Sequence, residues 1–309
     1  MLRSLFIGMS ANASARSFVT HFGPARRVAR RFIAGETLDE AVAVVKDLNA
    51  RGIKTIMNEV GESVTTRDEA VQAARSLQGL LRRIAADGLD STISLKPSHV
   101  GMTFGPDFFF ENVAGIVETA RQLGNTVEVD IEGSADVDAT LTAFHRLLDT
   151  FGGGLRLAIQ AYLFRTPADV ARLVERGAGI RLVKGAYHEP PEIALQGKAD
   201  IRQAMIELME TILAPQAMAR GAYLALGSHD PVLIAWLLNE TKRREIAKDR
   251  FEIQMLQGIR RDEQQRLADL GYRMRVYIPY GTAWYPYFMR RLAERPANVL
   301  FMARAVFGG

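Results

Sequence analysis

Short apolar runs alternate with amphipathic stretches along almost the whole chain. Eight runs have the composition of buried strands, and they start at broadly even spacing, near Ile53, Thr92, Thr126, Leu155, Ile180, Tyr223, Phe251 and Met274. The segments between them carry apolar residues at helical spacing. Strands that alternate with helices predict βα units and a parallel sheet. Eight such units, starting about 25–45 residues apart, predict a closed (β/α)8 barrel.

Capping residues mark the ends of the predicted elements. Seven helical stretches lie between the strands, at Asp68–Asp87, Asp107–Gly124, Ala135–Phe151, Pro167–Gly177, Ala199–Gly221, Pro231–Arg244 and Asp262–Gly271. Five glycines have the position of a helix C-cap before a strand: Gly52, Gly124, Gly177, Gly221 and Gly271. Thr37 and Glu40 form a capping box that opens a further helix.

The prediction for the whole chain is therefore a single domain built in two parts. Residues 1–50 form a helical extension at the N-terminus, and residues 51–309 form the catalytic barrel. A C-terminal helix beginning at Trp284 crosses the barrel rim. A length of 309 residues is within the range of one (β/α)8 barrel with extensions.

Composition excludes several kinds of site. The chain has no cysteine, so it contains no disulfide, thiolate nucleophile or cysteine metal ligand. The five histidines lack metal-ligand spacing, and neither a GxGxxG motif nor a Walker loop is present, so we expect no metal site and no Rossmann or P-loop nucleotide site. No apolar run approaches the roughly 18 residues of a membrane span. The net charge of +4 is mild, and we expect no nucleic-acid partner.

Polar residues end most of the predicted strands. In chain order they are Lys96, Asp130, Glu132, Gln160, Tyr162, Arg181, Lys184, Tyr187, Ser228, His229, Asp230, Gln254 and Tyr277. The carboxyl ends of barrel strands share one rim, so most of these side chains should meet there. Such convergence is typical of a ligand site. Arg290, Arg291 and Glu294 follow on the next helix, and with them the cations exceed the acids, which predicts an anionic ligand or cofactor.

Two segments have alternative interpretations. The fifth strand carries Arg181 and Lys184 in a buried setting, which favours contact with an anion or a cofactor. A purely structural Arg–carboxylate pair that closes the barrel end remains open for it. Adjacent Arg290 and Arg291 diverge by about 100° on a helix, so one of them can fork onto a carboxylate. Arg291 is equally well placed to pair with Glu294 on the surface.

The same residues, in order, resemble the proline dehydrogenase family in its short monofunctional bacterial form. The resemblance covers about residues 32–305 and rests on these blocks: Ser94-Leu95-Lys96, Asp130, Gln160-Ala161-Tyr162, Arg181 to Tyr187 (RLVKGAY), Ser228-His229-Asp230, Gln254-Met255-Leu256, Tyr277-x-Pro279-x-Gly281 and Arg290-Arg291-x-x-Glu294. Gln257 and Asn58 depart from the family pattern, which has Tyr and Asp at these positions.

The resemblance implies an FAD-dependent oxidation of L-proline to Δ1-pyrroline-5-carboxylate on a (β/α)8 barrel. Hydride passes from proline C5 to flavin N5, and electrons pass on to a quinone. Catalytic residues would be Asp130, Tyr187 and Arg181, and substrate-binding residues Lys96, Tyr277, Arg290, Arg291 and Leu256. FAD would contact Ile131, Gln160, Arg181, Val183, Lys184, Gly185, Ala186, Ser228, His229 and Glu294.

Within those sets the resemblance gives each residue a task. Lys96 and the two arginines of the C-terminal helix would clamp the carboxylate, while Asp130 holds Lys96. Tyr277 would cover the ring, and Tyr187 and Leu256 would line the site. Arg181 would stabilise negative charge near N5. Glu62 would act as a gate by pairing with Arg290.

The resemblance also bears on partners and location. We expect a cytoplasmic protein with peripheral contact at the inner face of the cell membrane, where quinone is found. The basic segment from Arg26 to Arg31 and the apolar start from Met1 to Met9 are the candidate contacts. A separate pyrroline-5-carboxylate dehydrogenase is a further candidate partner.

Two other functions are compatible with a barrel of this kind. A lyase or aldolase that forms a Schiff base would use Lys96 or Lys184, since a desolvated lysine is a nucleophile. A metabolite-binding barrel without catalytic activity would show no flavin absorbance and no dye reduction with proline.

Overall fold

The computed structural model describes residues 29–61 and 64–294, with side chains to Met289. Eight strands alternate with the helices: α1 (Leu38–Ala50), β1 (Lys54–Glu59), α2 (Arg67–Ala86), β2 (Ser91–Leu95), α3 (Pro106–Gln122), β3 (Val127–Val129), α4 (Val137–Phe151), β4 (Leu155–Gln160), α5 (Thr166–Glu175), β5 (Gly179–Val183), α6 (Lys198–Ile212), α7 (Pro215–Ala219), β6 (Tyr223–Gly227), α8 (Pro231–Arg243), β7 (Phe251–Leu256), α9 (Arg261–Asp269), β8 (Met274–Tyr280) and α10 (Trp284–Glu294).

The strands form a closed barrel in sequence order, and every neighbouring pair is parallel. β1 closes the barrel against β8 through six aligned residue pairs, from Lys54↔Arg275 to Glu59↔Tyr280. The predicted (β/α)8 barrel is confirmed, and each predicted strand starts within one residue of its observed position.

One predicted helix is wrong in its extent. The stretch Ala199–Gly221 was predicted as a single helix, and the structure divides it into α6 and α7. Pro215 stands at the start of α7, where its missing N–H costs nothing. The residue before a proline avoids helical backbone angles, and Ala214 has φ −58° and ψ 138°.

The predicted caps are present. Thr37 accepts a hydrogen bond from the N–H of Glu40, whose side chain bonds back to the cap backbone, so α1 begins with the expected capping box. All five predicted C-cap glycines have a positive φ, between 64° and 104°. Only glycine adopts these angles without strain, so each one ends its helix and turns the chain toward the next strand.

The segment before α1 is bonded to the carboxyl end of β8. Ala34 N–H donates to Pro279 O at 2.9 Å, and Gly281 N–H donates to Gly35 O at 3.0 Å. Trp284 Nε1 of α10 donates to Glu36 at 3.0 Å. Residues 34–36 and the start of α10 therefore lie beside the carboxyl end of β8. Residues 1–28 of the predicted helical extension lie outside the described residues.

The barrel has two different packing layers. Residues on the outward face of the strands, such as Val127, Ile180 and Leu226, are fully buried against the helices in one apolar core. The inward face is polar, because side chains from opposite strands bond across the interior. Examples are Gln254 on β7 with Glu128 on β3, and Arg156 on β4 with Glu252 on β7.

Candidate active site

Asp130 joins four polar side chains at the carboxyl end of the barrel. Its Oδ2 lies 3.1 Å from Lys96 Nζ and accepts a hydrogen bond from the Tyr277 hydroxyl at 3.3 Å. Its Oδ1 accepts from Ser94 Oγ at 3.3 Å and pairs with Arg181. The carboxylate is only 8% exposed. Three strand ends, those of β2, β5 and β8, therefore place polar groups on one buried anion that follows β3, as the strand-end pattern predicted.

Arg181 is held between two carboxylates. One terminal nitrogen pairs with Asp130, and the other lies 3.3 Å from Glu128 Oε2. The guanidinium carbon is 5.4 Å from the centroid of the Tyr277 ring, which is within cation–π range. Because the guanidinium is rigid and planar, these three neighbours together fix the orientation of Arg181. The structural Arg–carboxylate pair foreseen for this strand is thus present.

Tyr277 and Ser94 complete the group around Asp130. Their hydroxyl oxygens are 3.1 Å apart, and both bond to the Asp130 carboxylate. Asn58 donates to the backbone and hydroxyl oxygens of Ser94, at 3.1 and 3.3 Å. Asn58, one of the two departures from the family pattern, therefore orients Ser94. The other, Gln257, is 7% exposed and belongs to the buried residues.

A second polar layer lies beneath this group. Glu252 is fully buried between Arg156, at 2.7 Å, and Arg275, at 3.1 Å. Burial works to raise the pKa of Glu252, but the guanidiniums of Arg275 and Arg156 outweigh it and hold this pKa below its usual range. Gln254 donates to Glu252 at 2.7 Å. The strand-end pattern counted Gln254 among the rim residues, whereas it lies inside the barrel at 4% exposure.

The loop after β5 has a tightly packed turn at Gly185. This residue has φ +121°, and a Cβ atom added to it would lie 2.5 Å from the Tyr162 ring. Gln160 fixes the loop, because its amide donates to Glu132 O at 3.0 Å and accepts from the Ala186 N–H at 3.2 Å. Burial raises the pKa of Tyr162 to about 12. Gln160 thus acts as a brace between the third and fifth strand ends.

The remaining predicted contacts surround the mouth at different depths. Ile131 is buried, whereas Val183, Leu256, Ser228 and His229 are half-buried. Three predicted contacts on the loop after β5 are exposed: Lys184, Ala186 and Tyr187. The His229 ring is oriented by the backbone, since Nε2 accepts from the Leu256 N–H at 2.9 Å. Val183 and Leu256 end β5 and β7, and the others follow β3, β5 or β6 at the carboxyl end.

Four predicted residues lie outside the described side chains. Arg290, Arg291 and Glu294 belong to α10 by their backbone, and Glu62 follows the described residue Gly61. The carboxylate clamp and the gate therefore stay predictions. Gly61 itself packs against the ring of His99, since a Cβ atom there would lie 2.3 Å from Nε2.

The described residues fit a bound flavin dinucleotide by their chemistry. A pyrophosphate needs cations and N–H or hydroxyl donors, and the rim provides the exposed ammonium of Lys184 beside Ser228 and His229. A flavin ring that gains electrons needs a fixed positive group, and Arg181 is such a group. The exposed phenol of Tyr187, at 39%, adds an aromatic surface on the same rim.

Four charged residues of the interior were missed by sequence reasoning. They are Glu128, Arg156, Glu252 and Arg275, and their side chains are between 0% and 13% exposed. Each occurs singly in a short strand, and its partners are distant in sequence. The sequence signal that could have identified these four residues is a charged residue at an inward-facing position of a strand whose other residues are apolar.

The structure also bears on the alternatives. A Schiff-base lysine must be desolvated and uncharged. Lys184 is exposed, and Lys96 is 34% exposed and forms a salt bridge with Asp130. Within residues 29–61 and 64–294, no cluster of three histidines or acids is arranged to hold a metal ion. No helix in that part has the length and apolar character needed to cross a bilayer.

A separate cleft of about 490 Å³ lies outside the barrel mouth. Its walls include Glu36, Glu59, Ser76 and Tyr280, and Ser76 donates to Glu59 at 2.7 Å. Glu59 and Tyr280 are on the outward face of their strands, so this cleft does not contain the group around Asp130.

Comparison with known proteins gives full-length matches. Residues 41–304 match the family model described as proline dehydrogenase. Proline dehydrogenase 1 of Bacillus subtilis strain 168 is 36% identical over 309 residues, which is 99% of both chains. Proline dehydrogenase of Deinococcus radiodurans is 36% identical over 286 residues, or 91% of each chain.

Among solved structures, proline utilization A from Bdellovibrio bacteriovorus, inactivated by N-propargylglycine, superposes with a TM-score of 0.84 at 21% identity. The match covers all of this chain and 38% of that chain, and it supports the barrel fold. The extent and identity of the sequence matches decide the assignment: this chain belongs to the proline dehydrogenase family.

Proposed function

We propose that this protein oxidises L-proline to Δ1-pyrroline-5-carboxylate at the carboxyl end of its barrel, with FAD as cofactor. The observation that carries the proposal is the convergence of Lys96, Arg181 and Tyr277 on Asp130. FAD, when bound, supplies the acceptor for the hydride that leaves proline C5. The family assignment supports this activity, and the geometry supports the residues that serve it.

Lys96 is proposed to bind the proline carboxylate. An ammonium has three donors, and Asp130 takes one of them at 3.1 Å. The Lys96 side chain is 34% exposed at the mouth, so it can meet an anion there. Asp130 fixes the position of the ammonium, which reduces the ordering that binding requires. Arg290 and Arg291 are proposed as the other two cations of this clamp.

Tyr277 and Arg181 are proposed to act on the ring side of the substrate. Tyr277 is fixed by its bond to Asp130 and by the guanidinium over its ring, so it forms a rigid wall. Arg181 is 7% exposed, and its charge acts in a region of low dielectric. We propose that this charge stabilises the flavin as it gains electrons. Tyr187 and Leu256 are proposed to line the rest of the site.

Lys96→Gln tests the carboxylate role. We expect KM for proline to rise about tenfold or more, because a charge-assisted bond contributes about 1.5–3 kcal/mol. KM for proline is measured from the steady-state reduction of a dye by the flavin-loaded enzyme. The pyrroline product is detected by trapping it with 2-aminobenzaldehyde. Bleaching of the flavin spectrum on addition of proline is the accompanying test of the activity itself.

Lys54→Gln is the matched control. Lys54 is paired with Asp90 where β1 begins, at the other end of the barrel, and its side chain is 32% exposed. This variant should keep the wild-type KM. An equal rise in both variants would contradict the proposed binding role, and a wild-type flavin that proline fails to bleach would contradict the function.

A quinone is the proposed final acceptor, with peripheral contact at the membrane. Arg30 pairs with Glu40, and Arg31 Nε donates to Gly258 O at 3.4 Å, so both basic residues also have contacts within the protein. Arg26, Arg27 and the segment from Met1 to Met9 lie outside the described residues. Transfer of the product to a pyrroline-5-carboxylate dehydrogenase is a further proposal, since hydrolysis of that product gives a semialdehyde, and oxidation of its aldehyde carbon gives a second carboxylate.

A further inference from the structure

Glu128 is a fully buried carboxylate directly beneath the proposed site. Its Oε1 lies 3.1 Å from Arg156, and its Oε2 lies 3.3 Å from Arg181. Gln254 Nε2 is within 3.0 and 3.2 Å of the two oxygens. A carboxylate at 0% exposure is costly unless it is paired, so these contacts are its reason for being there.

Glu128 and Asp130 hold Arg181 from two sides. The two carboxylates lie one strand repeat apart on the inward face of the chain, and each takes a different terminal nitrogen of the guanidinium. Asp130 also contacts Lys96 and Tyr277 at the mouth. Glu128 has all its described contacts inside the barrel, so Arg181 is the contact that links it to the mouth.

Charge in this interior is closely balanced. Lys96, Arg156, Arg181 and Arg275 pair with Glu128, Asp130 and Glu252, so four cations meet three carboxylates. Apart from Lys96, the side chains of these residues are at most 13% exposed, and salt screens such charges weakly. Removal of one charge therefore changes the potential at the mouth, and the sign follows the charge removed.

We propose that Glu128 is a positioning residue that orients Arg181 and sets how much positive charge Arg181 presents to the flavin. The inference rests on the proposed function, because flavin at this mouth is part of that proposal. Neutralising Glu128 leaves Arg181 less compensated, which favours the anionic reduced flavin. Arg156 is the other cation paired with Glu128. Neutralising Arg156 leaves the Glu128 carboxylate to compensate Arg181 more fully, which disfavours the anionic reduced flavin.

Three flavin-loaded variants test this: Glu128→Gln, Arg156→Gln and the double variant. Their flavin midpoint potentials are measured by equilibration with a reference dye. We expect a more positive potential for Glu128→Gln and a more negative one for Arg156→Gln, each by at least a tenfold change in the reduction equilibrium, or about 30 mV for two electrons. The charge-balanced double variant should return close to wild type.

Two further variants serve as controls. Glu128→Asp keeps the charge and should stay nearer the wild-type potential than Glu128→Gln. Glu240→Gln removes a carboxylate paired with Arg243 and Arg244 on α8, outside the barrel interior, and should leave the potential unchanged. Thermal unfolding of every variant measures the structural cost separately.

The outcomes are distinct. A more positive flavin potential in Glu128→Gln together with a more negative one in Arg156→Gln supports the proposal, whatever the stability of the two variants. Equal potentials, or shifts of one sign, overturn it even if both variants lose stability. If Glu128→Gln does not fold, the decision falls to Arg156→Gln, where a more negative potential supports the proposal and an unchanged one overturns it. A wild-type flavin that proline cannot reduce overturns the proposed function together with this inference.

Discussion

Asp130 illustrates how a single carboxylate organises a cationic site. An ionised carboxylate has about four acceptor positions. Lys96, Arg181, Tyr277 and Ser94 are four donors around it. Its acceptor capacity is therefore filled within the protein, which favours a holding role over proton transfer. The catalytic role expected for Asp130 from the family resemblance stays a prediction, and we propose that Asp130 serves it by positioning Lys96, Arg181 and Tyr277.

His99 links one residue to the pH dependence of stability. Burial lowers the pKa of His99 below its usual 6.5, although the nearby carboxylates of Glu59 and Glu132 oppose this and Lys96 assists it. Below pH 6.5 the unfolded chain therefore binds a proton more readily than the native protein, so the stability of the native state decreases as the pH decreases. We expect His99→Gln to lose less stability between pH 7.5 and 5.5 than wild type, in urea titrations at both values.

His188→Gln is the control for that experiment, because His188 is exposed on the rim. This variant should follow the wild-type pH dependence. If His99→Gln loses as much stability as wild type on acidification, His99 does not contribute to it.

At the scale of elements, the loop after β5 depends on one glycine. Gly185→Ala adds a Cβ atom at φ +121° and 2.5 Å from the Tyr162 ring. We expect about 1–3 kcal/mol of destabilisation, since non-glycine residues are strained at such angles. Chemical denaturation measures this loss. Weaker flavin retention should accompany it, because the loop carries Lys184 and Ala186.

Gly79→Ala is the matched control, on the exposed face of α2. A Cβ atom added there meets nothing within 4 Å, and the residue is helical. The change should stabilise the protein by about 0.5–1 kcal/mol, because alanine is the better helix former. Equal effects of the two substitutions would refute the packing and backbone argument for Gly185.

Elements were easier to predict than the site. Strand positions follow from alternating βα segments, and helix ends follow from glycine and threonine caps, because both are local signals. The break at Pro215 was also local, and the proline marks it. The pairing of Glu128 with Gln254 joins residues 126 positions apart, so no local pattern contains it. Lys96, Asp130 and Arg181 were predicted together because parallel strands share a carboxyl end and because the family resemblance pairs Asp130 with Lys96.

At the scale of the molecule, the polar interior makes the stability of the fold depend on pH in the acidic range. The pKa of Glu252 lies below its usual 4.5, so this carboxylate stabilises the native state above that value and the contribution is lost as pH falls through the native pKa. At pH 7 we expect Glu252→Gln to cost about 3–5 kcal/mol, because Arg156 and Arg275 lose a buried partner. Urea titrations at pH 7 and pH 4 should show the difference from wild type narrowing at the lower pH.

Glu263→Gln provides the comparison, since Glu263 pairs with Arg266 near the surface, where the arginine is 52% exposed. Its cost should be below about 1 kcal/mol, as for other solvent-exposed pairs. A constant difference between Glu252→Gln and wild type at both pH values would show that Glu252 does not titrate as stated.

The seam between β1 and β8 has a consequence for synthesis. Arg275 donates to the backbone oxygen of Thr55, 220 residues earlier, so β1 meets β8 only after the residues between them have been synthesised. Until then β1 has an unpaired edge, which is prone to association with other chains. The nascent protein should therefore depend on ribosome-associated chaperones until β8 has emerged. A circular permutant that begins between β4 and β5 would bring β1 and β8 together much earlier in translation.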